Sequence, residues 1–188
     1  MPAFETLLAK VSAALERDQI PYMVIGGQAV LVHGEPRFTG DIDITLGVDT
    51  DKQEMVRRIA RELSLQTVEG MTEEFVKRNA LLTVEDPTTK ITVDFIFSFL
   101  PYERQAIGRA RIVAIGSANV RFATAEDTII HKLFAGRPLD REDVKSIMSM
   151  NAALDTQYLK RWLKEFSGVV GKDLVKEYEA LEAEVTRR

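Results

Sequence analysis

Apolar residues at the start of the chain recur at steps of three and four and then give way to a short continuous run. The recurring positions are Phe4, Leu7, Leu8, Val11, Ala14 and Leu15. Their spacing predicts an amphipathic helix that ends near Asp18. Residues 20–25 form a short apolar run that Gly26-Gly27 interrupts, which predicts a strand. Residues 28–34 then indicate a short helix closed by Gly34, followed by a loop over residues 35–40.

The next segment alternates between polar and apolar residues. Residues 41–46 (DIDITL) alternate strictly, which is typical of a strand with one buried face. After it, Thr50 and Asp51 are predicted to cap a helix over residues 52–63. Two hairpins should follow, the first around Asp86-Pro87 and the second around Gly116-Ser117. Their strands are residues 80–84 and 90–97, and residues 109–115 and 119–122.

The pattern returns to helical spacing from Thr124 onward. Thr124 and Asp127 have the spacing of a capping box and predict a helix through Leu133. Three more helices are predicted over residues 141–150, 156–166 and 172–185. We therefore expect an α+β protein with two regions, a mixed α/β core over residues 1–123, in which four or five of these strands form the sheet, and a helical bundle packed on it over residues 124–188.

Composition narrows the chemistry more than it narrows the fold. The chain has 188 residues, a formal charge of −4, two histidines and no cysteine. This excludes disulfides, thiolate zinc sites and cysteine nucleophiles. The N-terminal segment lacks a signal-peptide pattern and no apolar run is long enough for a membrane span, so we expect a cytoplasmic protein without a membrane partner. Residues 1–100 carry 10 basic and 16 acidic side chains and residues 101–188 carry 15 and 13, so the modestly basic second half is compatible with an RNA acceptor.

Two aspartates occupy alternate positions of an otherwise apolar strand. Asp41 and Asp43 project from one face of the predicted strand while Ile42 and Ile44 point to the other. Two carboxylates about 4 Å apart repel by about 4 kcal/mol at an effective dielectric constant of 20, and a divalent cation between them reverses the sign. Asp94 occupies a similar position in a second apolar strand. Three oxygen donors without His or Cys suit Mg²⁺ or Mn²⁺, which serve phosphoryl and nucleotidyl transfer.

A glycine pair supplies a complementary feature. Gly26 and Gly27 stand between a predicted strand and a helix, where backbone N–H groups can approach the phosphates of a nucleotide. Arg37 and Thr39, just before the acidic pair, add a bidentate donor and a hydroxyl group. Thirteen residues separate Gly27 from Asp41.

In this order and spacing, the residues resemble the nucleotidyltransferase superfamily typified by DNA polymerase β. The string GGQAVLVHGEPRFTGDID is similar to the AbiEii/MenT-like bacterial toxin nucleotidyltransferases, in which Gly-Gly-x-Ala, His-Gly and Arg-x-Thr-x-Asp-hydrophobic-Asp recur. The string HKLFAGRPLDREDV, residues 131–144, resembles the downstream helical motif of that group. The resemblance covers roughly residues 20–150.

The resemblance implies a minimal nucleotidyltransferase fold and a set of site residues. Asp41 and Asp43 would bind the metal, and Asp94 would complete the metal site or deprotonate the attacking hydroxyl. Lys132 would contact nucleotide phosphates. The residues that would orient Lys132 or the base are Arg137, Asp140 and Asp143. The implied activity is transfer of NMP from an NTP to an acceptor hydroxyl, by a toxin–antitoxin or phage-defence enzyme that acts on RNA (tRNA) and has a cognate antitoxin.

Two other functions remain open from the sequence. The acceptor is instead a small molecule in antibiotic-adenylylating relatives, such as the lincosamide enzymes. A catalytically silent antitoxin or binding module would keep the same fold. At the residue level, Lys132 also fits a solvated helix position, and the charged residues from Arg137 to Asp143 fit a salt-bridged helix start with Asp140 as its cap. His33 fits a packing role better than a ligand role.

Overall fold

A mixed sheet of seven strands forms the centre of the protein. The structure is a computed structural model that describes residues 3–98 and 100–187. The strands are β1 (Tyr22–Val24), β2 (Asp41–Leu46), β3 (Gln66–Thr67), β4 (Leu81–Glu85), β5 (Thr92–Phe97), β6 (Arg111–Ile115) and β7 (Ala118–Phe122). They are ordered β3-β4-β5-β2-β1-β7-β6. β2 runs parallel to β5 and antiparallel to β1.

The helices lie before, between and after the strands. They are α1 (Ala3–Arg17), α2 (Gly26–His33), α3 (Gln53–Glu62), α4 (Glu73–Asn79), α5 (Pro101–Arg109), α6 (Ala125–Ala135), α7 (Pro138–Met150), α8 (Thr156–Val170) and α9 (Leu174–Thr186). This is the α+β architecture that the residue pattern predicts, with helices on a mixed sheet and a helical C-terminal region. No described helix is both long and apolar enough to cross a membrane.

The two central strands have one apolar face and one polar face. On β2, Ile42, Ile44 and Leu46 are fully buried, and Val93 and Phe95 on β5 are buried beside them. Because side chains alternate along a strand, Asp41, Asp43 and Asp94 lie on the opposite face. The apolar face anchors the core, so the register of the two strands fixes where the carboxylates stand.

The C-terminal helices pack against one another and against α2, the helix that follows β1. Thr124 caps α6 by accepting a hydrogen bond from the backbone of Asp127, as the capping spacing predicts. Asp155 and Asp173 cap α8 and α9 in the same way. Leu159, Leu163 and other apolar residues on the inner faces of these helices are buried. The C-terminal helices therefore complete a hydrophobic core that is continuous with the sheet.

Several local predictions need correction. The sheet has seven strands rather than four or five. Asp49, not Thr50 or Asp51, accepts the capping hydrogen bond, and a single 3₁₀ turn over Thr50–Lys52 precedes α3. α7 begins at Pro138 rather than Arg141, so Asp140 lies inside its first turn and is not its N-cap. The chain also contains α4, α5 and the short strand β3, which the apolar pattern does not indicate.

Candidate active site

The parallel pairing of β2 and β5 brings two carboxylates side by side. Asp43 and Asp94 are partners in the register, and Thr92 stands opposite Asp41. Residues paired in this way point to the same side of a sheet, so the three carboxylates share one face. Asp41 is exposed, whereas Asp43 and Asp94 are half-buried. The expected acidic cluster therefore exists as a row along two adjacent strands.

Asp43 is in an electrostatically unfavourable position. Burial and, after it, the neighbouring charges of Asp41 and Asp94 raise the pKa of its carboxyl group to about 6, against the opposing effect of Lys132 and Arg137. A carboxylate in this position is costly because it loses water and faces two like charges. The site is thus short of positive charge at the point where the acidic residues meet.

Gly26 and Gly27 allow the first turn of α2 to lie against the acidic strand. Gly26 has φ +63°, and a Cβ atom placed there would stand 1.8 Å from Oδ2 of Asp43. A Cβ atom on Gly27 would stand 2.4 Å from the hydroxyl oxygen of Thr39. That hydroxyl group donates to Oδ1 of Asp41 at 3.0 Å. Only glycine at positions 26 and 27 leaves room for the close approach to Asp43 and Thr39. No side chain caps the N-terminus of α2.

An ion network from α6 and α7 stands across from the carboxylates. The ammonium group of Lys132 lies 3.0 Å from Oδ1 of Asp140 and 2.8 Å from Oδ2 of Asp143. Arg37 donates to both oxygens of Asp143, at 2.7 and 2.8 Å. Arg137 donates through its side chain and its backbone N–H to Asp140. Asp140, Asp143 and Lys132 are almost completely buried, so the two acids hold the three cations in place.

A cleft of about 280 Å³ separates the acidic strand from this network. Eight residues predicted from the sequence line it: Gly27, Arg37, Thr39, Asp41, Asp43, Lys132, Arg137 and Asp140. Three others border it: Gly26 packs on Asp43, Asp94 is the strand partner of Asp43, and Asp143 binds Arg37 and Lys132. The predicted residues are therefore assembled in one place.

Three residues of the lining were not predicted from the sequence. These are Phe38, Gly40 and Leu139. Phe38 is 91% exposed and stands between Arg37 and Thr39. A large apolar side chain in this polar loop is the sequence feature that indicates it as a site residue. Leu139, in the first turn of α7, is 54% exposed. Both give the mouth of the cleft an apolar rim.

Thr83 on β4 is another residue that the sequence did not indicate. Its hydroxyl group donates to Oδ1 of Asp94 at 2.6 Å, and the two residues are strand partners. This bond orients the carboxylate and occupies one of its oxygens. Among residues 3–98 and 100–187, no three His, Cys, Asp or Glu side chains are already arranged to hold a metal ion.

His33 serves packing at the end of α2. Its Nε2 donates to the carbonyl oxygen of Ala123 at 2.7 Å, and burial lowers its pKa. Asn151 in turn donates to the carbonyl oxygen of His33 at 2.7 Å. These contacts tie α2 to the start of the C-terminal region, which agrees with the packing role that the sequence favours.

Residues 6–146 of the chain match the model of the protein family described as "Nucleotidyl transferase AbiEii toxin, Type IV TA system". The match includes the glycine pair, the three aspartates of the strands and the ion network of α6 and α7. No curated protein matches the chain significantly.

Solved structures of three proteins have a similar fold. The antibiotic-resistance factor ANT(2″)-Ia in complex with adenylyl-2″-tobramycin has a TM-score of 0.61 and 17% identity, over 89% of this chain and 98% of that chain. An antigenic nucleotidyltransferase-like protein from Paracoccidioides brasiliensis has a TM-score of 0.59 and 16% identity, over 97% and 91%. The lincosamide adenylyltransferase LnuA, bound to lincomycin, has a TM-score of 0.55 and 14% identity, over 80% and 99%. At these identities the likeness concerns the fold alone.

Proposed function

The chain belongs to the AbiEii nucleotidyltransferase family, and from this premise we propose that it is a metal-dependent enzyme that transfers NMP from an NTP to the hydroxyl group of an RNA acceptor. The observation that carries the proposal is the placement of carboxylates and cations on opposite sides of one cleft. Asp41 and Asp43 stand on one side, and Lys132 and Arg137 stand on the other. A triphosphate with a divalent cation has the charge distribution that such a cleft complements.

The donor residues fit Mg²⁺ or Mn²⁺. Mg²⁺ is commonly held by one or two carboxylates together with phosphate oxygens of the substrate and water. Asp41 and Asp43 supply two carboxylates, and burial together with the charges of Asp41 and Asp94 raises the pKa of Asp43. We assign both residues to the metal, with Asp94 either as a third ligand or as the base. When bound, the ion would neutralise phosphate charge and stabilise the attacking and leaving oxygens.

The protein groups act mainly by positioning. The backbone of Gly26 and Gly27 approaches the phosphates at the N-terminus of α2, where the helix dipole favours negative charge. Lys132 and Arg137 bind the pyrophosphate portion, and Arg37 and Thr39 hold the loop and Asp41. Asp94, oriented by Thr83, would either complete the metal site or take the proton from the acceptor hydroxyl. The acceptor oxygen forms a bond to the α-phosphorus as the bond to the bridging oxygen of pyrophosphate breaks.

The biological setting follows from the family. Its description names a toxin of a Type IV toxin–antitoxin system, so we propose a toxin role and a cognate antitoxin. For the acceptor we propose RNA, and specifically the tRNA 3′ end. The excess of basic over acidic side chains in residues 101–188 supports this choice.

Transfer of label tests the proposal. Purified protein is incubated with each α-³²P-labelled NTP, Mg²⁺ and total RNA, and separately with a panel of hydroxylated antibiotics. We expect labelled RNA that is lost with EDTA and with Asp41→Ala, a variant of an exposed residue that should leave the fold intact. Undiminished labelling by Asp41→Ala would contradict the assignment of the site. Labelling of an antibiotic but not of RNA would show that the acceptor is a small molecule. Absence of NTP binding would favour a catalytically silent binding module.

A further inference from the structure

A second cavity lies on the same face of the sheet as the carboxylates. We call it the aromatic cavity; its walls include Thr45, Ile96, Tyr102, His131, Phe134 and Phe166. Thr45 follows Asp43 by two residues on β2, Ile96 follows Asp94 by two residues on β5, and Thr45 and Ile96 are strand partners. Two residues of a strand span about 7 Å. The aromatic cavity therefore begins one pleat beyond the acidic residues, on the side away from Asp41.

The chemistry of the aromatic cavity differs from that of the cleft. Its volume is about 320 Å³ and its described walls contain no Lys or Arg, whereas Lys132 and Arg137 line the cleft. Phe166 packs edge-on against Tyr102 at 5.0 Å and against Phe134 at 5.3 Å between ring centroids. The described walls also include the acidic residue Glu103, so they disfavour phosphate. The aromatic rings favour a flat group over a bulky non-aromatic one.

Four polar side-chain atoms in the walls have no hydrogen-bond partner among the described residues. They are the hydroxyl oxygens of Thr45 and Tyr102, Oε2 of Glu103 and Nε2 of His131, and all four atoms are buried. Thr45 as a whole is only 1% exposed. Buried polar groups are nearly always paired in folded proteins, so each unpaired one calls for an explanation. A ligand that carries donors and acceptors at the edge of an apolar ring would pair with such atoms.

The aromatic cavity is also open to solvent. Leu100, Phe134 and Val169 surround its mouth and are 54%, 44% and 73% exposed. Exposed apolar groups around a concave site are typical of ligand-binding surfaces. A group attached to a longer chain could therefore enter without the rest of that chain being buried.

The geometry of phosphoryl transfer predicts which part of the substrates enters the cleft and which part enters the aromatic cavity. The attacking and leaving oxygens stand roughly in line on either side of the phosphorus atom. In the proposed function the pyrophosphate lies toward Lys132 and Arg137 in the cleft. The acceptor must then approach from the other side of Asp43, which is where Thr45 and Ile96 begin the aromatic cavity.

We propose that the aromatic cavity binds an uncharged heteroaromatic ring of the acceptor, a nucleobase next to the hydroxyl group that is attacked. The inference rests on the proposed function, because that function sets the direction of approach. A nucleobase combines a flat apolar face with a polar edge, and it comes either from an RNA 3′ end or from a free nucleoside. The acceptor then carries its recognition element on the side opposite the triphosphate of the NTP.

A binding experiment tests this inference independently of catalysis. The single tryptophan, Trp162, has its ring centroid 5.0 Å from that of Tyr102 in the cavity wall, so its fluorescence should report occupancy. The probes are the four free nucleosides, short RNAs that end in each base, and tobramycin as a non-aromatic polycation. We expect a saturable change with nucleosides and RNA ends, and none with tobramycin. If only RNA saturates the signal, the bound base belongs to an RNA 3′ end. If a free nucleoside binds with equal affinity, the natural ligand is a free nucleoside.

Matched variants locate the binding. Thr45→Val keeps the shape and removes the hydroxyl group, and Ile96→Asp places a charge on the cavity floor. We expect each to weaken nucleoside binding at least 10-fold, while Asp41→Ala and the distant surface variant Ile112→Asp bind as the wild type does. In transfer assays the cavity variants should raise the KM of the acceptor and leave that of the NTP unchanged. No saturable change in the wild type, equal binding by Ile96→Asp, or a raised KM for the NTP instead would overturn the proposal. Loss of transfer with intact nucleoside binding would count against the proposed function alone.

Discussion

Asp43 shows, at the scale of one residue, how the site stores unfavourable charge. It is half-buried between two other carboxylates, and its nearest compensation comes from cations on the opposite side of the cleft. A residue in this position opposes folding of the metal-free protein and becomes favourable when a cation binds. Stability and function therefore make opposite demands on the same side chain.

Replacing Asp43 by Asn should stabilise the metal-free protein while it abolishes transfer. The pKa of Asp43 rises from 3.8 to about 6 on folding, so its charge weakens the folded state above that range. We expect Asp43→Asn to raise the free energy of unfolding by about 1–3 kcal/mol at pH 7. The gain should shrink as the pH falls toward 4, because the wild-type carboxyl group then becomes neutral. Urea unfolding at both pH values measures this, with the surface variant Asp51→Asn as control, and an equal gain at both would contradict it.

Gly26→Ala should destabilise the protein and inactivate it although every charged residue remains. Alanine is strained at φ +63°, and its Cβ atom would overlap the carboxylate of Asp43. We expect a loss of at least about 2 kcal/mol in the free energy of unfolding. Gly168→Ala is the matched control, because it lies inside α8 with no atom within 4 Å and should gain about 0.5–1 kcal/mol. Equal stability of the two variants would refute the argument.

The spacing of residues in the sequence predicts the acidic and glycine residues of the site, because they are close along the chain or share a strand pattern. It does not predict which residues those side chains contact. That Thr83 orients Asp94 depends on the register between β4 and β5, which no local pattern contains. Likewise, the resemblance names Asp140 and Asp143 but does not show that they pair with Lys132.

At the scale of elements, α6 and α7 form a rigid support for the cations. Asp143 accepts hydrogen bonds from Arg37, which lies 106 residues earlier in the chain, and also contacts Lys132. It thereby connects the loop before β2 to both helices. A buried acid with two cationic partners positions them for phosphate and keeps their charge from being left unpaired.

Asp143→Asn should uncouple these elements. Removing one charge from a buried pair costs about 3–5 kcal/mol when the partner stays buried, and Arg37, with its side chain 26% exposed, can relax toward solvent. We therefore expect a loss of about 2–4 kcal/mol in the free energy of unfolding and a higher KM for the NTP. Glu142→Gln, whose side chain is 66% exposed, should change stability by less than about 0.5 kcal/mol. A similar effect of both variants would rule out a special role for Asp143.

The elements that the sequence missed have weak apolar signals. Only Val76 is buried in α4, both residues of β3 are exposed, and α5 buries two side chains. Periodicity is detectable only where several residues of one face enter the core. α1, β2 and β5 have that property and were predicted well.

At the scale of the whole molecule, the expected division at residue 123 remains a prediction, and the contacts suggest how it can be tested. The backbone of Ala123 donates to Val24 in β1 and accepts from His33 in α2, so the boundary region is bound into the core. α2 packs against both α6 and α7. A helical region attached in this way should lose its structure together with the sheet.

We expect a single cooperative unfolding transition. Trp162 lies on α8 and reports on the C-terminal region and its contact with Tyr102 of α5, whereas far-ultraviolet circular dichroism reports on the whole chain. The two urea transitions should coincide in midpoint and slope. A tryptophan transition at lower urea would show that the C-terminal helices are an independent unit.

The contact between Gly26 and Asp43 also bears on how a pseudoenzyme of this family would arise. Loss of catalysis is usually sought at acidic positions, yet here the backbone must pass within reach of a carboxylate that only a residue without a Cβ atom tolerates. A single nucleotide change at the glycine codon would silence the site while the acidic signature stayed complete. Among natural variants of this chain, the residue at position 26 should therefore separate active from inactive copies even where the aspartates are identical.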